Sequence, residues 1–197
     1  MVRPEDIPNF AGRIFTESQR LITLVSDIIK ISQLDENAIS YAWERLDLTA
    51  LVQEELERLR PAADRKGVTL KLEGEQVSLL TVRPIVEEIV HNLCDNAIKY
   101  NRPDGTVEVS VCQQGEATIL KVRDTGIGIA PGDQQHIFER FYRVDKSHSK
   151  EIGGTGLGLS IVKHGAAYLG AKTGVESTLG VGTTFTLTWE KQPFVLD

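Results

Sequence analysis

The fold is decided by the stretch Asp124-Thr125-Gly126-Ile127-Gly128-Ile129-Ala130-Pro131, which directly follows a predicted strand at residues 118–123. Apolar and charged side chains alternate in that strand, and the two-residue period places Asp124 on its apolar face. A carboxylate there is costly unless it is hydrogen-bonded. The glycines that follow allow positive φ and a close approach of the backbone to a ligand. The stretch therefore predicts either a loop that binds a flat ligand carrying an amino group or a β-turn with Asp124 as its turn residue.

The segments around this stretch predict an α+β domain over residues 45–190. Alternating or short apolar runs predict strands at 45–48, 68–72, 77–81, 107–112, 118–123, 171–177 and 183–189. Helical spacing predicts helices at 49–66, 84–100 and 153–169. Pro61 is expected to kink the first of these, and Gly67 to end it. We expect a two-layer α/β sandwich, in which three helices cover one face of a mixed, mostly antiparallel sheet.

The second of these helices carries polar residues along one face. Asn92, Asn96, Lys99 and Tyr100 follow i, i+4, i+7, i+8 spacing, next to an apolar row. Asparagine is a mediocre helix former, so two of them in mid-helix indicate a function. The face predicts ligands for a metal ion and phosphates, and the alternative is a solvated polar face.

A second glycine-rich stretch, residues 153–159, opens the third helix. Backbone amides at such a helix start form an anion site, although the spacing is neither that of a P-loop nor that of a Rossmann fingerprint. The segment before it, 132–152, is polar except for Ile137-Phe138 and Phe141-Tyr142. It predicts a mobile cover with aromatic anchors, and the pocket is expected beneath it.

The N-terminal region, residues 1–37, predicts a long helix with a heptad seam. Ile14, Leu21 and Ile28 form one seven-spaced series, and Leu24 and Ile31 form another. Such a stripe needs a partner helix, expected from another copy of the chain or from a segment outside it. The alternative is a helix folded onto the downstream domain. Residues 38–44 are predicted as a linker and 191–197 as a tail.

Composition narrows the class of protein. The 197 residues carry a net charge of −6, which argues against a non-specific nucleic-acid binder. Cys94 and Cys112 lie in apolar segments without a CxxC pattern, and both are expected to be reduced thiols in the core. No apolar run of membrane-spanning length and no secretory signal is visible, so a cytoplasmic location is expected for this portion.

Four blocks together resemble the ATP-binding domain of sensor histidine kinases, the GHKL or Bergerat fold. They are similar to the family's N box, first glycine box, F box and second glycine box: 91–100 (HNLCDNAIKY), 124–131 (DTGIGIAP), 137–143 (IFERFYR) and 154–159 (GTGLGL). Residues 10–36 resemble the second helix of the family's dimerisation and phosphoacceptor hairpin. The order of the four blocks makes the resemblance specific, and a phosphate-responsive subgroup is the nearest in character. The match is weakest at residues 80–84, where the family often has a Gly-Asp turn.

The resemblance implies ATP and Mg²⁺ as cofactors and assigns roles to individual residues. Asp124 accepts a hydrogen bond from the adenine amino group, and Asn96 coordinates Mg²⁺. The implied catalytic residues, which lie by the transferring phosphoryl group, are Asn92, Lys99 and Arg143. Further implied ATP-binding residues are Tyr100, Gly126, Gly128, Ile129, Tyr142, Gly154, Thr155, Gly156, Leu157, Gly158 and Leu159.

The chain departs from the family in having no H box, the motif that carries the phosphoacceptor histidine. His91, His136, His148 and His164 all lack its context. We expect a fragment that binds Mg-ATP but does not phosphorylate itself. The implied partners are the phosphoacceptor helix of the same or a partner subunit, a response regulator, and a second copy in a homodimeric, membrane-anchored parent.

Three other readings share the motifs. GHKL-type ATPases carry a water-activating Glu where this chain has Asn92, and an amide is no base at neutral pH, so slow hydrolysis is expected. Anti-sigma-factor serine kinases lack the F box and the heptad helix. A non-catalytic nucleotide-sensing module is the third alternative, against which all four boxes keep their ligand positions.

Overall fold

The computed structural model describes residues 7–35, 41–144 and 154–190. In chain order the elements are α1 (Ile7–Asp35), β1 (Glu44–Asp47), α2 (Leu48–Lys66), β2 (Thr69–Gly74), β3 (Ser78–Thr81), α3 (Arg83–Lys99), β4 (Thr106–Gln114), β5 (Ala117–Asp124), α4 (Gly158–Tyr168), β6 (Ala171–Thr178) and β7 (Gly182–Trp189). The predicted tail, part of the predicted linker and residues 145–152 of the predicted cover lie outside the described residues.

A five-stranded sheet forms the centre of the domain, with the order β2-β4-β5-β7-β6. β2 and β4 are parallel, and the other neighbouring pairs are antiparallel. β1 and β3 form a separate antiparallel pair. The register aligns Asp124 with Val107 on one side and Thr183 on the other. The mixed, mostly antiparallel sheet of the sequence prediction is confirmed.

One face of the sheet is apolar and packs against α2, α3 and α4. It consists of alternate residues of the three central strands: Val107, Val109, Val111, Leu120, Val122, Phe185 and Leu187. Burial of each such side chain stabilises the fold by about 1.5–3 kcal/mol. Lys121 and Arg123 lie on the opposite, exposed face. The predicted two-layer α/β sandwich with three covering helices is therefore confirmed.

Helix ends follow the residues that dictate them. Asp47 caps α2 by accepting a hydrogen bond from the Ala50 amide at 2.9 Å, and Gly67 ends α2 in the left-handed region at φ 68°. α2 is assigned as one helix across Pro61. α4 begins at Gly158 rather than at the predicted residue 153, because Gly156 has φ 74°, which interrupts a helix.

The two cysteines differ from the prediction. Cys94 is fully buried in α3, and burial raises the pKa of its thiol to about 12. Cys112 is exposed, so its assignment to the core was wrong. The alternation in β4 explains the difference, because Val107, Val109 and Val111 point inward and place Cys112 on the outer face.

The heptad seam of α1 divides into two parts. Ile31 is 2% exposed and packs with Leu157 and Ile161, and Leu24 lies against the same cluster. Ile14 and Leu21 are 66% and 59% exposed. The alternative in which the helix folds onto the downstream domain therefore holds for the C-terminal part of α1. No helix in the three described ranges is both long and apolar enough to cross a membrane.

Candidate functional site

Asp124 ends β5 and is 8% exposed, on the same face as Leu120 and Val122, as the sequence predicts. Its Oδ1 accepts a hydrogen bond from the backbone N–H of Gly126 at 2.8 Å. Burial raises the pKa of the Asp124 carboxyl, and hydrogen bonds with the backbone of Gly126 and Thr183 oppose that shift only in part. A shielded acceptor of this kind suits a ligand that brings its own hydrogen-bond donor.

The loop after Asp124, residues 124–131, is here called the first glycine loop. A Cβ on Gly126 would lie 2.3 Å from the carbonyl oxygen of Tyr100, so only glycine fits. The amide of Ile127 donates to that same oxygen at 3.1 Å. The Ile129 amide donates to Ser177 Oγ at 2.8 Å, which ties the loop to β6. Gly128 has φ 68° and abuts Thr178, so it also requires glycine.

α3 brings the two predicted asparagines to the neighbourhood of this loop and of α4. Asn92 donates through Nδ2 to the backbone oxygen of Glu88 at 2.8 Å and to its carboxyl at 3.1 Å. A Cβ on Gly158 would lie 2.6 Å from Asn92 Oδ1, so α4 begins in close contact with α3. Asn96 is half-buried, and no side-chain hydrogen bond to it is found within the described residues. Its amide oxygen is therefore available to an incoming ligand.

Lys99 and Tyr100 follow at the end of α3. Lys99 Nζ pairs with Asp95 at 2.6 Å along its own helix. Tyr100 caps the helix and joins the first glycine loop through its backbone oxygen, while its ring is partly exposed. Their predicted contacts with phosphates and ribose stay predictions.

Residues 154–158 are here called the second glycine loop. Thr155 Oγ1 donates to Asp27 of α1 at 2.8 Å, and the side chain of Leu157 is fully buried against Ile31. Both side chains thus point toward α1, which leaves backbone groups for the nucleotide contacts predicted at these positions. The side chain of Leu159 packs against the core.

The predicted cover segment closes around the second glycine loop. The amide of Phe141 donates to the Gly156 oxygen at 2.9 Å, and Arg143 Nη1 donates to the Gly154 oxygen at 2.9 Å. Phe138 packs edge-on against Phe185 in the core, as expected of an anchor. Tyr142 donates its hydroxyl to Asp133 at 2.6 Å, and this bond raises the pKa of the phenol.

The described histidines each lie next to a carboxylate. His91 is 3.5 Å from Glu55 and His136 is 2.7 Å from Glu139, while His164 pairs with Asp35. His148 lies outside the described residues. The absence of a phosphoacceptor histidine stays a prediction.

The four sequence blocks meet in one arrangement. α3 contacts the first glycine loop at Tyr100 and the second at Asn92, and the cover segment contacts the second loop at Phe141 and Arg143. No group of three or more His, Cys, Asp or Glu suited to a metal is found in the described parts of the chain. A magnesium ion at the Asn96 amide would take its other ligands from phosphates and water, as Mg²⁺ commonly does.

Four residues of this arrangement were missed by sequence reasoning: Asp27, Glu88, Arg102 and Ser177. Each acts on a loop or helix distant along the chain, from which no local pattern signals it. Glu88 alone offered a signal, because it lies four residues before Asn92 on the same helix face.

Comparisons with known proteins agree with this arrangement. Residues 81–193 match the family described as histidine kinase-, DNA gyrase B-, and HSP90-like ATPase. The chain is 36% identical to the sensor-like histidine kinase SenX3 of Mycolicibacterium smegmatis over 192 residues, which are 96% of this chain and 50% of SenX3. The chain thus spans about half the length of this relative.

Two solved structures share its fold at higher than 25% identity. Full-length ShkA in complex with AMPPNP has a TM-score of 0.80 at 26% identity, covering 95% of this chain and 39% of ShkA. The mycobacterial sensor histidine kinase MprB has a TM-score of 0.66 at 27% identity, covering 78% of this chain and 100% of the MprB chain. The chain belongs to the family of histidine kinase-, DNA gyrase B- and HSP90-like ATPases, and within that family it carries the ATP-binding domain of a sensor histidine kinase.

Proposed function

We propose that this chain binds ATP together with Mg²⁺ between the first glycine loop and α3, and presents the γ-phosphoryl group to a histidine that lies outside it. The observation that carries the proposal is the buried Asp124 carboxylate, which the Gly126 amide orients, on a loop that contacts the same helix as the available Asn96 amide. The crystal structure of ShkA with AMPPNP supports a nucleotide at the equivalent place.

The residues of the chain divide the work by chemistry. Asp124 accepts from the adenine amino group, and the Asn96 oxygen is the protein ligand of a magnesium ion, which supplies charge neutralisation on the phosphates when bound. The amides at the start of α4 face anionic oxygens at a helix N-terminus. Lys99 and Arg143 add positive charge, for which Lys99 exchanges its pair with Asp95 for a phosphate.

The acceptor is proposed to be the histidine of an H box on a first hairpin helix. One of its ring nitrogens forms the bond to phosphorus while the bond between the γ-phosphorus and the bridging oxygen breaks and ADP leaves. Catalysis of such a transfer rests on positioning and charge, so the site needs no strong base. Transfer then continues to a response regulator.

α1 supplies the proposed dimerisation surface. Its outward side exposes a row of large apolar residues: Phe10, Ile14, Phe15, Leu21, Ile22, Val25, Ile28 and Ile29. An exposed apolar stripe of this length marks an interface. We assign residues 1–37 to the second helix of a hairpin that pairs with its first helix and with a second copy, in a parent anchored to the membrane.

Hydrolysis of ATP is the second candidate, and the environment of Asn92 disfavours it. The Asn92 amide nitrogen donates to the backbone oxygen and the carboxyl of Glu88 and offers no proton acceptor to a water molecule. Slow hydrolysis relative to transfer is therefore expected.

Calorimetric titration with AMPPNP, with and without Mg²⁺, tests the binding step in the wild-type chain and in Asn96→Ala. We expect Mg²⁺ to strengthen binding to the wild type and to have little effect on the variant. Unchanged Mg²⁺ dependence in Asn96→Ala would remove Asn96 from the site. Incubation with γ-labelled ATP tests the missing acceptor, because acid-labile label on this chain would show a histidine acceptor within it.

A further inference from the structure

Arg102 joins three segments that are distant in sequence. It follows α3, in a turn where the buried Asn101 accepts a hydrogen bond from the Arg102 amide at 3.0 Å. The Arg102 guanidinium donates to the carbonyl oxygen of Gly126, at 3.4 Å from Nε and 3.0 Å from Nη2, and also to the carbonyl oxygen of Gly180. One side chain therefore ties the end of α3 to the first glycine loop and to the turn between β6 and β7.

These contacts fix a peptide plane next to Asp124. The Gly126 carbonyl and the Ile127 amide belong to one planar peptide unit. Arg102 binds its oxygen, and the Tyr100 oxygen accepts from its N–H at 3.1 Å, so both polar groups of this unit are held. The preceding peptide unit contributes the Gly126 N–H, which donates to Asp124 Oδ1 at 2.8 Å. The orientation of the Gly126 peptides thus sets which lone pairs of the carboxylate remain for a ligand.

The guanidinium is chemically suited to this task. It is always charged, and its planar fork reaches two carbonyl oxygens at once, which the single ammonium of lysine does less well. The loop keeps other anchors without it, since the Ile127 oxygen accepts from the Gly180 amide at 2.7 Å and Ile129 is bound by Ser177. Loss of Arg102 should therefore misorient the loop and leave the fold intact.

We propose that Arg102 is a positioning residue for adenine recognition, which acts by holding the Gly126 peptide so that Asp124 presents its free acceptor to the base. The proposal rests on the proposed function in that Asp124 reads an amino group. It predicts that Arg102 contributes to the preference for adenine over a base that lacks this amino group.

Arg102→Gln, Arg102→Lys and the control Arg123→Gln test this role. Arg123 carries the same charge on the outer face of β5, and no hydrogen bond or ion pair of its side chain is found within the described ranges. The first measurement is the NMR chemical shift and the exchange rate of the Gly126 amide in the nucleotide-free protein. The second is the calorimetric affinity for ATP and for ITP, which lacks the amino group, and the third is the melting temperature.

For Arg102→Gln we expect faster exchange of the Gly126 amide and an affinity for ATP lowered by about tenfold, the loss typical of a hydrogen bond to a charged group. The affinity for ITP should change little, so the preference for ATP falls. Arg102→Lys should retain part of that preference, and Arg123→Gln should match the wild type in every measurement.

An unchanged Gly126 amide, or equal losses for ATP and ITP, would overturn the positioning role. Failure of the wild type to bind ATP would instead overturn the proposed function. In that case the Gly126 amide still reports whether Arg102 holds the loop, so the two failures are distinguishable.

Discussion

The first glycine loop, residues 124–131, and the second, residues 154–158, are held by different parts of the molecule. The first loop is bound by the main domain alone: by Tyr100 and Arg102 at the end of α3 and by Ser177 on β6. The second is bound by α1 and by the cover segment, through Asp27 and Phe141 among others. The proposed adenine end of the site is thus independent of α1, whereas the proposed phosphate end contacts it directly.

This difference separates recognition from control. A loop anchored on a sheet keeps its shape when a neighbouring helix moves, because the strands fix it through a continuous ladder of hydrogen bonds. A loop that hydrogen-bonds to a helix outside the domain follows that helix. Movements of α1 should therefore change how the chain holds phosphates and leave its hold on the base unchanged.

The largest effect is expected from Asp124→Asn. Replacing the carboxylate removes a charged acceptor in a buried position, and the affinity for ATP should fall about a hundredfold. Asp104→Asn is the matched control, because Asp104 is exposed in a turn at φ 59°, which asparagine tolerates. Titration calorimetry measures both variants. A loss of less than tenfold in Asp124→Asn would place base recognition elsewhere.

The next effect concerns the attachment of α1. Ile31→Ala removes an apolar side chain buried against Leu157 and Ile161, and should weaken the docking of α1 by about 2 kcal/mol. Amide exchange in the last two turns of α1 should then rise about thirtyfold, with no change in β5 and β7. Hydrogen–deuterium exchange measures each segment.

Lys30→Met is the control for this comparison. The ion pair of Lys30 with Glu88 at 2.7 Å is partly exposed, so its loss should cost less than about 1 kcal/mol. Loss of protection in the sheet of Ile31→Ala would contradict the independence of the first loop from α1.

Local patterns predicted the first loop better than the second. Alternation along β5 was sufficient to place Asp124 on the buried face, because a strand's period is fixed by its backbone. The same rule would have placed Cys112 outside, had the alternation of β4 been followed to its end. Thr155 was predicted to face the nucleotide, and its hydroxyl instead reaches Asp27, 128 residues away.

Contacts of that kind leave no periodic trace. Arg102 likewise reaches Gly180 across 78 positions, and nothing in the turn that contains it signals a guanidinium bridge. Short-range pattern thus determined the elements and the residues that line them. The side chains that hold the two loops in place depend on tertiary packing, which only the folded chain reveals.

A smaller effect is expected on the stability of the nucleotide-free chain. Burial raises the folded-state pKa of Asp124 above its unfolded value, so ionisation destabilises the folded chain as the pH rises from the unfolded pKa through the folded one. This penalty is complete above the folded pKa and absent below the unfolded pKa. Asp124→Asn lacks it, and should gain stability over the wild type at neutral pH but little near pH 4, roughly the unperturbed pKa of aspartate.

Thermal unfolding without nucleotide, with Asp104→Asn as the reference for loss of a surface charge, measures the gain at both values of pH. A gain that grows toward acid pH would show that the Asp124 carboxylate stabilises the folded chain in its charged form. The first loop would then be satisfied without a ligand, and its case as a binding loop would weaken.

The smallest effect tests the second loop. Asp27→Asn keeps an oxygen that accepts from Thr155 and removes a negative charge, which is only 9% exposed, beside the proposed phosphate end. Because like charges repel across this partly buried contact, the affinity for ATP should rise about threefold, while the affinity for uncharged adenosine stays the same. Glu17→Gln, an exposed change on the same helix, is the control. Equal gains for ATP and adenosine would mean that α1 acts on the whole site, and the separation between the two glycine loops would no longer hold.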